Sequence, residues 1–291
     1  MFIENALMSL IGELEQDRSL DEPRHLRQRI EALDDLDTYL PDGLDETGGQ
    51  PIRTALHHRA RAIYAKLDSA NVTLYEAIRR DIQRGAGGSR LLEWMTDWND
   101  AANLVNCRGY DYLDGLISGV LQFEEPSAEV VQLESEMVPY QPTPARHIYD
   151  LIGRTALTER DFLIDLGSGL GHVTLTASIC TSAKCTGIEL EPSYVDCARK
   201  TARSLNLNNA RFIQGDARAA DLSEGTVFYL YTPFSGTILR DVLNSLRQEA
   251  VRREIRICTF GPCTRVVAEE QWLSAIGALE TDRMALFRSR V

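Results

Sequence analysis

Apolar residues in the first half of the chain recur at spacings of three and four, which places them on one face of a helix. Leu7, Leu10, Ile11 and Leu14 follow this spacing, and residues 26–33 repeat it. Loops rich in glycine and proline separate such segments. The pattern therefore predicts a helical domain at the start of the chain, and we place its end at residue 138.

Two further features divide this helical region. A long helical pattern runs over residues 51–85, with an interruption predicted near residues 69–71. The glycine-rich stretch 85–88 predicts a second break. Amphipathic segments follow at residues 91–98 and 112–123.

From about residue 139 the pattern changes, because short β-branched or apolar runs alternate with helical stretches. Such alternation predicts a parallel sheet covered by helices, an α/β fold of the Rossmann-like kind, over residues 139–291. A helix over 144–151 precedes the sheet, and two closing strands, one of them antiparallel, are expected at the end of the chain. The predicted strands are 161–165, 184–189, 210–214, 225–231, 254–259, 272–279 and 284–289, and the predicted helices between them are 171–180, 192–205 and 235–250.

Composition adds that the chain is of ordinary globular type, with 44% apolar residues in 291. The two halves differ in charge: residues 1–142 hold 13 basic and 26 acidic residues, and residues 143–291 hold 18 and 17. Neither half offers the broad basic surface that non-specific nucleic-acid binding requires, so we disfavour a nucleic-acid partner. The acidic first half would attract a cationic substrate, although many acidic surfaces serve only solubility.

The start of the chain lacks a positively charged leader, and no apolar run reaches the roughly 18 residues that a membrane span needs. We therefore expect a cytoplasmic protein without a membrane partner. The six cysteines contain no C-x-x-C pair, and their strand-like or helical contexts favour buried free thiols over a metal site. These cysteines are Cys107, Cys180, Cys185, Cys197, Cys258 and Cys263.

A glycine-rich turn follows the first predicted strand, in the stretch DFLIDLGSGLGHVTL at residues 161–175. Gly167, Gly169 and Gly171 alternate with other residues between that strand and a predicted helix. Ligands bind to open α/β sheets at this edge, where helix N-termini point out of the sheet. Glycine also serves tight turns and close packing without any ligand, so the turn alone identifies no function.

Two acidic residues, at the ends of the next two predicted strands, narrow the class of ligand that this edge could bind. Glu189 follows the second strand, where a carboxylate can accept both hydroxyls of a ribose, and Asp216 follows the third, where it can accept from an exocyclic amine. Each alone is equally explained as a helix cap. Together with Asp165 they would repel a pyrophosphate, but they suit a ligand with a ribose, an adenine and a cationic centre. S-adenosylmethionine is such a ligand.

At these positions the sequence resembles the class I S-adenosylmethionine-dependent methyltransferases, over residues 140–291 or so. The resemblance implies that the turn passes beneath the methionine part of the cofactor, that Glu189 contacts the ribose and that Asp216 contacts the adenine. It also implies closure over the cofactor by residues before the first strand. The candidate cofactor-binding residues are Tyr140, Thr143, Asp165, Gly167, Ser168, Gly169, Glu189, Asp216 and Ala217.

The run VFYLYTPFSG at residues 227–236, taken with the other motifs, also resembles non-SET lysine methyltransferases of the disruptor-of-telomeric-silencing type. Those enzymes carry an asparagine near the methyl group, where this chain has Tyr231, Thr232 and Pro233. We therefore carry over the fold and the cofactor, but not the substrate.

The candidate catalytic residues are Tyr231 and Thr232, just past the fourth strand, and His147 on the helix that precedes the sheet. A helical histidine is more often structural than catalytic. The sequence thus predicts in-line methyl transfer, without a metal, to an acceptor that is a small molecule or a protein side chain. The alternatives are an NAD(P)-dependent oxidoreductase and a non-catalytic binding or scaffold protein. The oligomeric state stays open.

Overall fold

The structure is a computed structural model, and it describes residues 2–40, 51–96, 109–124, 126, 132–279 and 283–290. The chain folds into two compact units. We call Met1–Ile78 with Asp111–Val120 the helical unit, and Arg79–Tyr110 with Leu121–Val291 the α/β unit. The boundary predicted after residue 138 stays a prediction. No helix among the described residues is both long and apolar enough to cross a membrane.

Four helices among the described residues belong to the helical unit, and apolar side chains of the first three contribute to two small clusters of buried residues. The interruption predicted near residue 70 is wrong, because one helix runs continuously through it. Asn71 is buried there, and its Oδ1 accepts a hydrogen bond from Nε of Arg29 (2.6 Å) instead of competing with the backbone. The helices are α1 (Phe2–Gln16), α2 (Leu26–Asp37), α3 (Pro51–Gln83, which extends into the α/β unit) and α5 (Tyr112–Leu121).

A seven-stranded sheet organises the α/β unit, in the order β3-β2-β1-β4-β5-β7-β6. The first five strands are parallel, whereas β7 is antiparallel to both β5 and β6. The predicted Rossmann-like sheet with antiparallel closure is confirmed. The strands are β1 (Phe162–Leu166), β2 (Lys184–Glu189), β3 (Ala210–Gln214), β4 (Val227–Leu230), β5 (Arg256–Thr259), β6 (Leu273–Ala275) and β7 (Ala285–Ser289).

Helices cover both faces of this sheet, because the strand side chains alternate between two buried clusters. Ile164 and Phe228 belong to one cluster, together with residues of α9. Leu163 and Tyr229 belong to the other, together with residues of α6 and α7. The helices are α4 (Gly87–Thr96), α6 (Ala145–Thr155), α7 (His172–Cys180), α8 (Pro192–Ser204), α9 (Gly236–Arg252) and α10 (Cys263–Ala268).

Three details of this unit differ from the prediction. The strand predicted over residues 272–279 is shorter, because β6 ends at Ala275 and the chain then bends at Gly277, which has φ +85°. Helix α4 begins at Gly87, inside the predicted break, because Gly88 lets α4 approach α7: a Cβ at Gly88 would lie 2.7 Å from the carbonyl oxygen of Ile179. Helix α10 was not predicted, since its six residues are too few for a periodic pattern. Five of the cysteines are free thiols in the structure, while Cys107 lies outside the described residues.

Candidate active site

A cavity of about 570 Å³ opens at the edge of the sheet where the parallel strands end. Its volume lies within the range of small-molecule sites, roughly 300–1,000 Å³. Ten of the twelve predicted site residues line it, and Gly169 and His147 do not. The ten are Tyr140, Thr143, Asp165, Gly167, Ser168, Glu189, Asp216, Ala217, Tyr231 and Thr232.

Side chains of the protein itself occupy the space beside each glycine of the turn after β1. Gly167 has φ +80°, and a Cβ there would lie 2.4 Å from Cβ of Pro233. Gly169 has φ +52°, and a Cβ there would lie 2.1 Å from the ring of Tyr140. The third glycine of the turn lies against the ring of Phe212 in the same way. The chain therefore requires these glycines with or without a ligand, and they are weaker signs of binding than the charges nearby.

Asp165 lies buried under the turn, on β1. Burial raises the pKa of its carboxyl group to about 7, while a hydrogen bond from Oγ1 of Thr174 (3.1 Å) lowers it and the charge of Glu189 raises it further. The group therefore titrates near neutral pH and gains from a positive charge in the cavity.

Glu189, at the end of β2, is held by backbone groups on two sides. Its Oε2 accepts from the N–H of Gly169 (2.7 Å) and its Oε1 from the N–H of Glu191 (2.9 Å). Glu191 in turn caps α8, because its Oε1 accepts from the N–H and the hydroxyl of Ser193. The carboxylate of Glu189 thus has a fixed orientation at the cavity wall.

Asp216 lies after β3 and is held by Arg218, whose backbone N–H donates to its Oδ1 (2.8 Å). The guanidinium of Arg218 donates through Nη2 to Oδ2 of Asp216 (2.6 Å) and to Oε1 of Glu134 (2.6 Å). These hydrogen bonds from the Arg218 side chain lower the pKa of Asp216. Asp216 is therefore a fixed carboxylate at the cavity edge.

The charged groups of the cavity are all acidic. Among the described residues that line it there is no lysine or arginine, while Asp165, Glu189, Glu191 and Asp216 contribute carboxyl groups. His172 also lines it, but burial lowers the pKa of its ring to about 4, so that it is neutral at physiological pH. This arrangement suits a cationic ligand and disfavours a phosphate-bearing one.

Ser168 supplies an independent sign of a ligand. Its hydroxyl is buried in the cavity wall and has no hydrogen-bond partner among the described residues. Gly187 makes room for it, because a Cβ there would lie 2.5 Å from Oγ of Ser168. Buried hydroxyls normally have partners, so a polar ligand atom is expected to pair with this one.

The loop after β4, residues 231–234, forms an uncharged part of the cavity that we call the β4 wall. Thr232 has φ +41°, unusual for a β-branched residue. Its hydroxyl donates to the carbonyl of Phe260 (3.0 Å) and accepts from the N–H of Cys263 (3.1 Å), which fixes the loop. Burial raises the pKa of Tyr231 above that of a free phenol. His147, the remaining catalytic candidate, packs its ring on Phe260 with centroids 4.0 Å apart.

A segment before α6 crosses the strand-end loops, and we call residues 132–143 the strap. Met137 forms a bridge with Phe234, and the N–H of Val138 donates to the carbonyl of Pro233 (3.0 Å). The hydroxyl of Tyr140 pairs with Nδ1 of the neutral His172 (3.0 Å). Oγ1 of Thr143 pairs with the buried hydroxyl of Tyr229 (2.9 Å). The strap therefore contacts both the glycine turn and the β4 wall.

Sequence reasoning missed several residues of the site. Glu191, Tyr194 and Pro262 line the cavity, and Arg218 reaches it through Asp216. The sequence ELE at 189–191 is a local signal for Glu191, since an acidic residue before a proline often caps a helix. The other partner of Arg218, Glu134, lies 84 residues away in the chain, and no local pattern reveals such a contact.

Comparison with known families gives one description, "Methyltransferase domain", which matches residues 163–253. The chain is 35% identical over 97 residues to a release factor glutamine methyltransferase of Vibrio cholerae, covering 33% of each chain. It is 26% identical over 138 residues to a protein-lysine N-methyltransferase of Saccharolobus islandicus, covering 46% of this chain and 76% of that one.

Among solved structures, the chain is similar to an RNA methyltransferase of Salinibacter ruber in complex with S-adenosyl-L-homocysteine. The identity is 25%, the TM-score is 0.42, and the similarity covers 51% of this chain and 92% of that one. The chain thus spans a third of the length of the Vibrio relative and about three quarters of the Saccharolobus relative.

Proposed function

We propose that this chain, whose residues 163–253 match a methyltransferase domain, is a class I S-adenosylmethionine-dependent methyltransferase that methylates a side chain of another protein. The carboxyl groups that line the cavity, without a lysine or arginine among the described lining residues, carry this proposal. A sulfonium cation is stabilised by such groups, because opposite charges favour each other most in a partly buried site.

Particular residues fit the parts of the cofactor. In this proposal Glu189 contacts the ribose, Asp216 and Ala217 contact the adenine, and the hydroxyl of Ser168 pairs with a polar atom of the ligand. All four residues line the cavity, which supports these roles. When bound, the cofactor supplies a methyl group on sulfur that an acceptor can attack in line. The contribution of the chain is to orient the two reactants and to exclude water.

The β4 wall is the proposed site of the acceptor. Tyr231 is its only titratable side chain, and with a raised pKa its hydroxyl stays protonated at neutral pH. It therefore orients an acceptor through hydrogen bonds instead of removing a proton. The hydroxyl of Thr232 is occupied by Phe260 and Cys263, so its role is to hold the backbone.

Two observations support a protein acceptor. The names of both curated relatives describe methylation of an amino-acid side chain, glutamine in one and lysine in the other. The lining residues in the described part of the chain offer no cation for a nucleic-acid phosphate. The oxidoreductase alternative is not favoured, because NAD(P) would bring its pyrophosphate to the same carboxylates. A purely structural scaffold does not account for the hydroxyl of Ser168, which is buried in the cavity wall without a partner in the described part of the chain.

The direct test is methyl transfer from labelled S-adenosylmethionine into a cell lysate that is then separated into protein, nucleic acid and small molecules. We expect the label in protein, and acid hydrolysis then identifies the modified amino acid. Tyr231→Phe is the matched variant: it keeps the ring and removes the hydroxyl, so it should slow transfer while the affinity for S-adenosylhomocysteine stays within about twofold of wild type.

Label found only in nucleic acid or in small molecules would refute a protein acceptor while leaving the methyl donor in place. No transfer, together with no binding of S-adenosylhomocysteine, would refute the function itself.

A further inference from the structure

We propose that Arg218 is a positioning residue that determines how the cavity recognises the cofactor's base. This inference rests on the proposed function, because it concerns the same cofactor. Arg218 acts through Asp216, which lines the cavity, while Arg218 itself is not among the lining residues. Of this pair, only Asp216 can meet a ligand in the cavity, and Arg218 acts by holding it.

The guanidinium of Arg218 donates hydrogen bonds to both carboxylate oxygens of Asp216. Nε of Arg218 lies 2.9 Å from Oδ2 and 3.1 Å from Oδ1 of Asp216, and Nη2 lies 2.6 Å from Oδ2. A planar guanidinium that meets both oxygens of a carboxylate fixes its rotation as well as its position. A lysine ammonium in the same place would attract the carboxylate but would not fix its plane.

The second contact ties this carboxylate to the strap. Nη2 of Arg218 also donates to Glu134, which precedes Met137 in the strap and neighbours the lining residue Leu133. One guanidinium thus lies between the carboxylates of Asp216 and Glu134, and Glu134 is 84 residues from Arg218 in the chain. Without it, two like charges would face each other, and both the carboxylate and this end of the strap would lose their common partner.

The consequence concerns recognition and not only stability. A carboxylate held in one plane can accept from the 6-amino group of adenine and rejects an oxygen in that position, because two acceptors then face each other. A carboxylate that is free to rotate discriminates less between the 6-amino group and an oxygen at that position. The N–H of Arg218 still holds Oδ1 of Asp216 in any side-chain variant, so substitution at 218 removes the guanidinium alone.

The test compares two probes by equilibrium titration: S-adenosylhomocysteine and S-inosylhomocysteine, in which an oxygen replaces the 6-amino group. We expect wild type to prefer the adenine compound by at least about tenfold, the effect of one hydrogen bond gained and one repulsion avoided. Arg218→Met should weaken binding of S-adenosylhomocysteine about tenfold and reduce the preference to about threefold or less.

Two variants make the comparison specific. Arg218→Lys keeps the charge and should restore affinity more than preference, because preference depends on the planar fork. Arg288→Met is the matched control: Arg288 is an exposed arginine paired with Glu254 at 3.7 Å, and its removal should change neither quantity. If Arg218→Met does not fold, the preference measured with Arg218→Lys decides.

An unchanged preference in Arg218→Met or Arg218→Lys, whatever the loss of affinity, would overturn the assignment and leave Arg218 a structural residue. Equal effects of Arg218→Met and Arg288→Met would do the same. Failure of wild type to bind S-adenosylhomocysteine would instead contradict the proposed function, so the two failures are distinguishable.

Discussion

The loops after β1 and β4 both leave the sheet through left-handed backbone, but the first uses glycine and the second uses threonine. After β1, Gly167 and Gly169 need both the positive φ and the space that Pro233 and Tyr140 fill. After β4, Thr232 has the same kind of φ, and its hydroxyl offsets the cost with two hydrogen bonds. A glycine pattern is visible in a sequence, whereas a threonine held by tertiary contacts is not.

The two loops also differ in charge. Carboxyl groups surround the glycine turn, whereas the β4 wall is neutral. The first region thus suits a cationic ligand by its chemistry, while the second is the proposed site of an acceptor and offers it no charged group. Binding of the methyl donor is therefore easier to infer from the chain than the choice of acceptor.

The largest effect on stability should come from Gly167→Ala, because Gly167 in the glycine turn packs against Pro233 in the β4 wall. The added Cβ meets Pro233 at 2.4 Å and sits at φ +80°. We expect a loss of about 2–5 kcal/mol in the free energy of unfolding of the α/β unit, from backbone strain and overpacking together. Denaturant titration followed by the fluorescence of Trp94 and Trp272 measures it.

Gly277→Ala is the matched control, since Gly277 has φ +85° and open space around it. This substitution should cost only the strain of a positive φ, about 1–2 kcal/mol in the free energy of unfolding. Equal losses in the two variants would mean that the contact with Pro233 carries no energy and that the two loops are not joined as described.

Asp165 should make stability depend on pH in the direction opposite to most carboxylates. Burial raises its folded-state pKa from 3.8 to about 7, so between these values the folded protein binds the proton that the unfolded chain releases. Its contribution is therefore largest below pH 4 and is lost as pH rises to 7, by up to about 1.4 kcal/mol per pH unit.

The difference between wild type and Asp165→Asn isolates this effect, because asparagine keeps an acceptor for Thr174 but does not titrate. His172 acts in the opposite sense: its folded pKa of about 4 lies below the ordinary 6.5, so it adds stability as pH rises between those values. Urea titrations of wild type and Asp165→Asn from pH 4 to 8 measure this difference in the free energy of unfolding. A pH-independent difference would show that Asp165 is ionised throughout.

Thr232→Val should have the smallest effect and tests the β4 wall alone. Valine keeps the branched shape but leaves the carbonyl of Phe260 and the N–H of Cys263 without the hydroxyl, at a cost of about 1–2 kcal/mol in unfolding free energy. Thr232→Ser, which keeps the hydroxyl, is the control and should be more stable than Thr232→Val. Equal stabilities would show that the two hydrogen bonds of the Thr232 hydroxyl do not offset the cost of its positive φ.

Much of the α/β unit could be predicted from the chain because its signals are local. The apolar runs of β1 and β2 and the turn between β1 and α7 depend on neighbouring residues. The carboxylates of Glu189 and Asp216 follow from their place at strand ends, where a parallel sheet brings them to one edge.

The rest depends on contacts between distant residues. The side chain of Asn71 bonds to Arg29, 42 residues away, so a residue that reads as a break lies within a continuous helix. The Arg218–Glu134 pair and the packing of Tyr140 on Gly169 join the strap to loops that follow it by many residues. Such contacts form only when the fold brings the segments together.

The acidic cavity should bind an adenosyl sulfonium and not a pyrophosphate. Calorimetric titration of the whole chain at pH 7.5 with S-adenosylmethionine, S-adenosylhomocysteine and NAD tests it directly. We predict saturable binding of the first two, with a stabilisation of about 2.7 kcal/mol at 100 times the dissociation constant, and no binding of NAD. Binding of NAD without binding of S-adenosylmethionine would contradict the account.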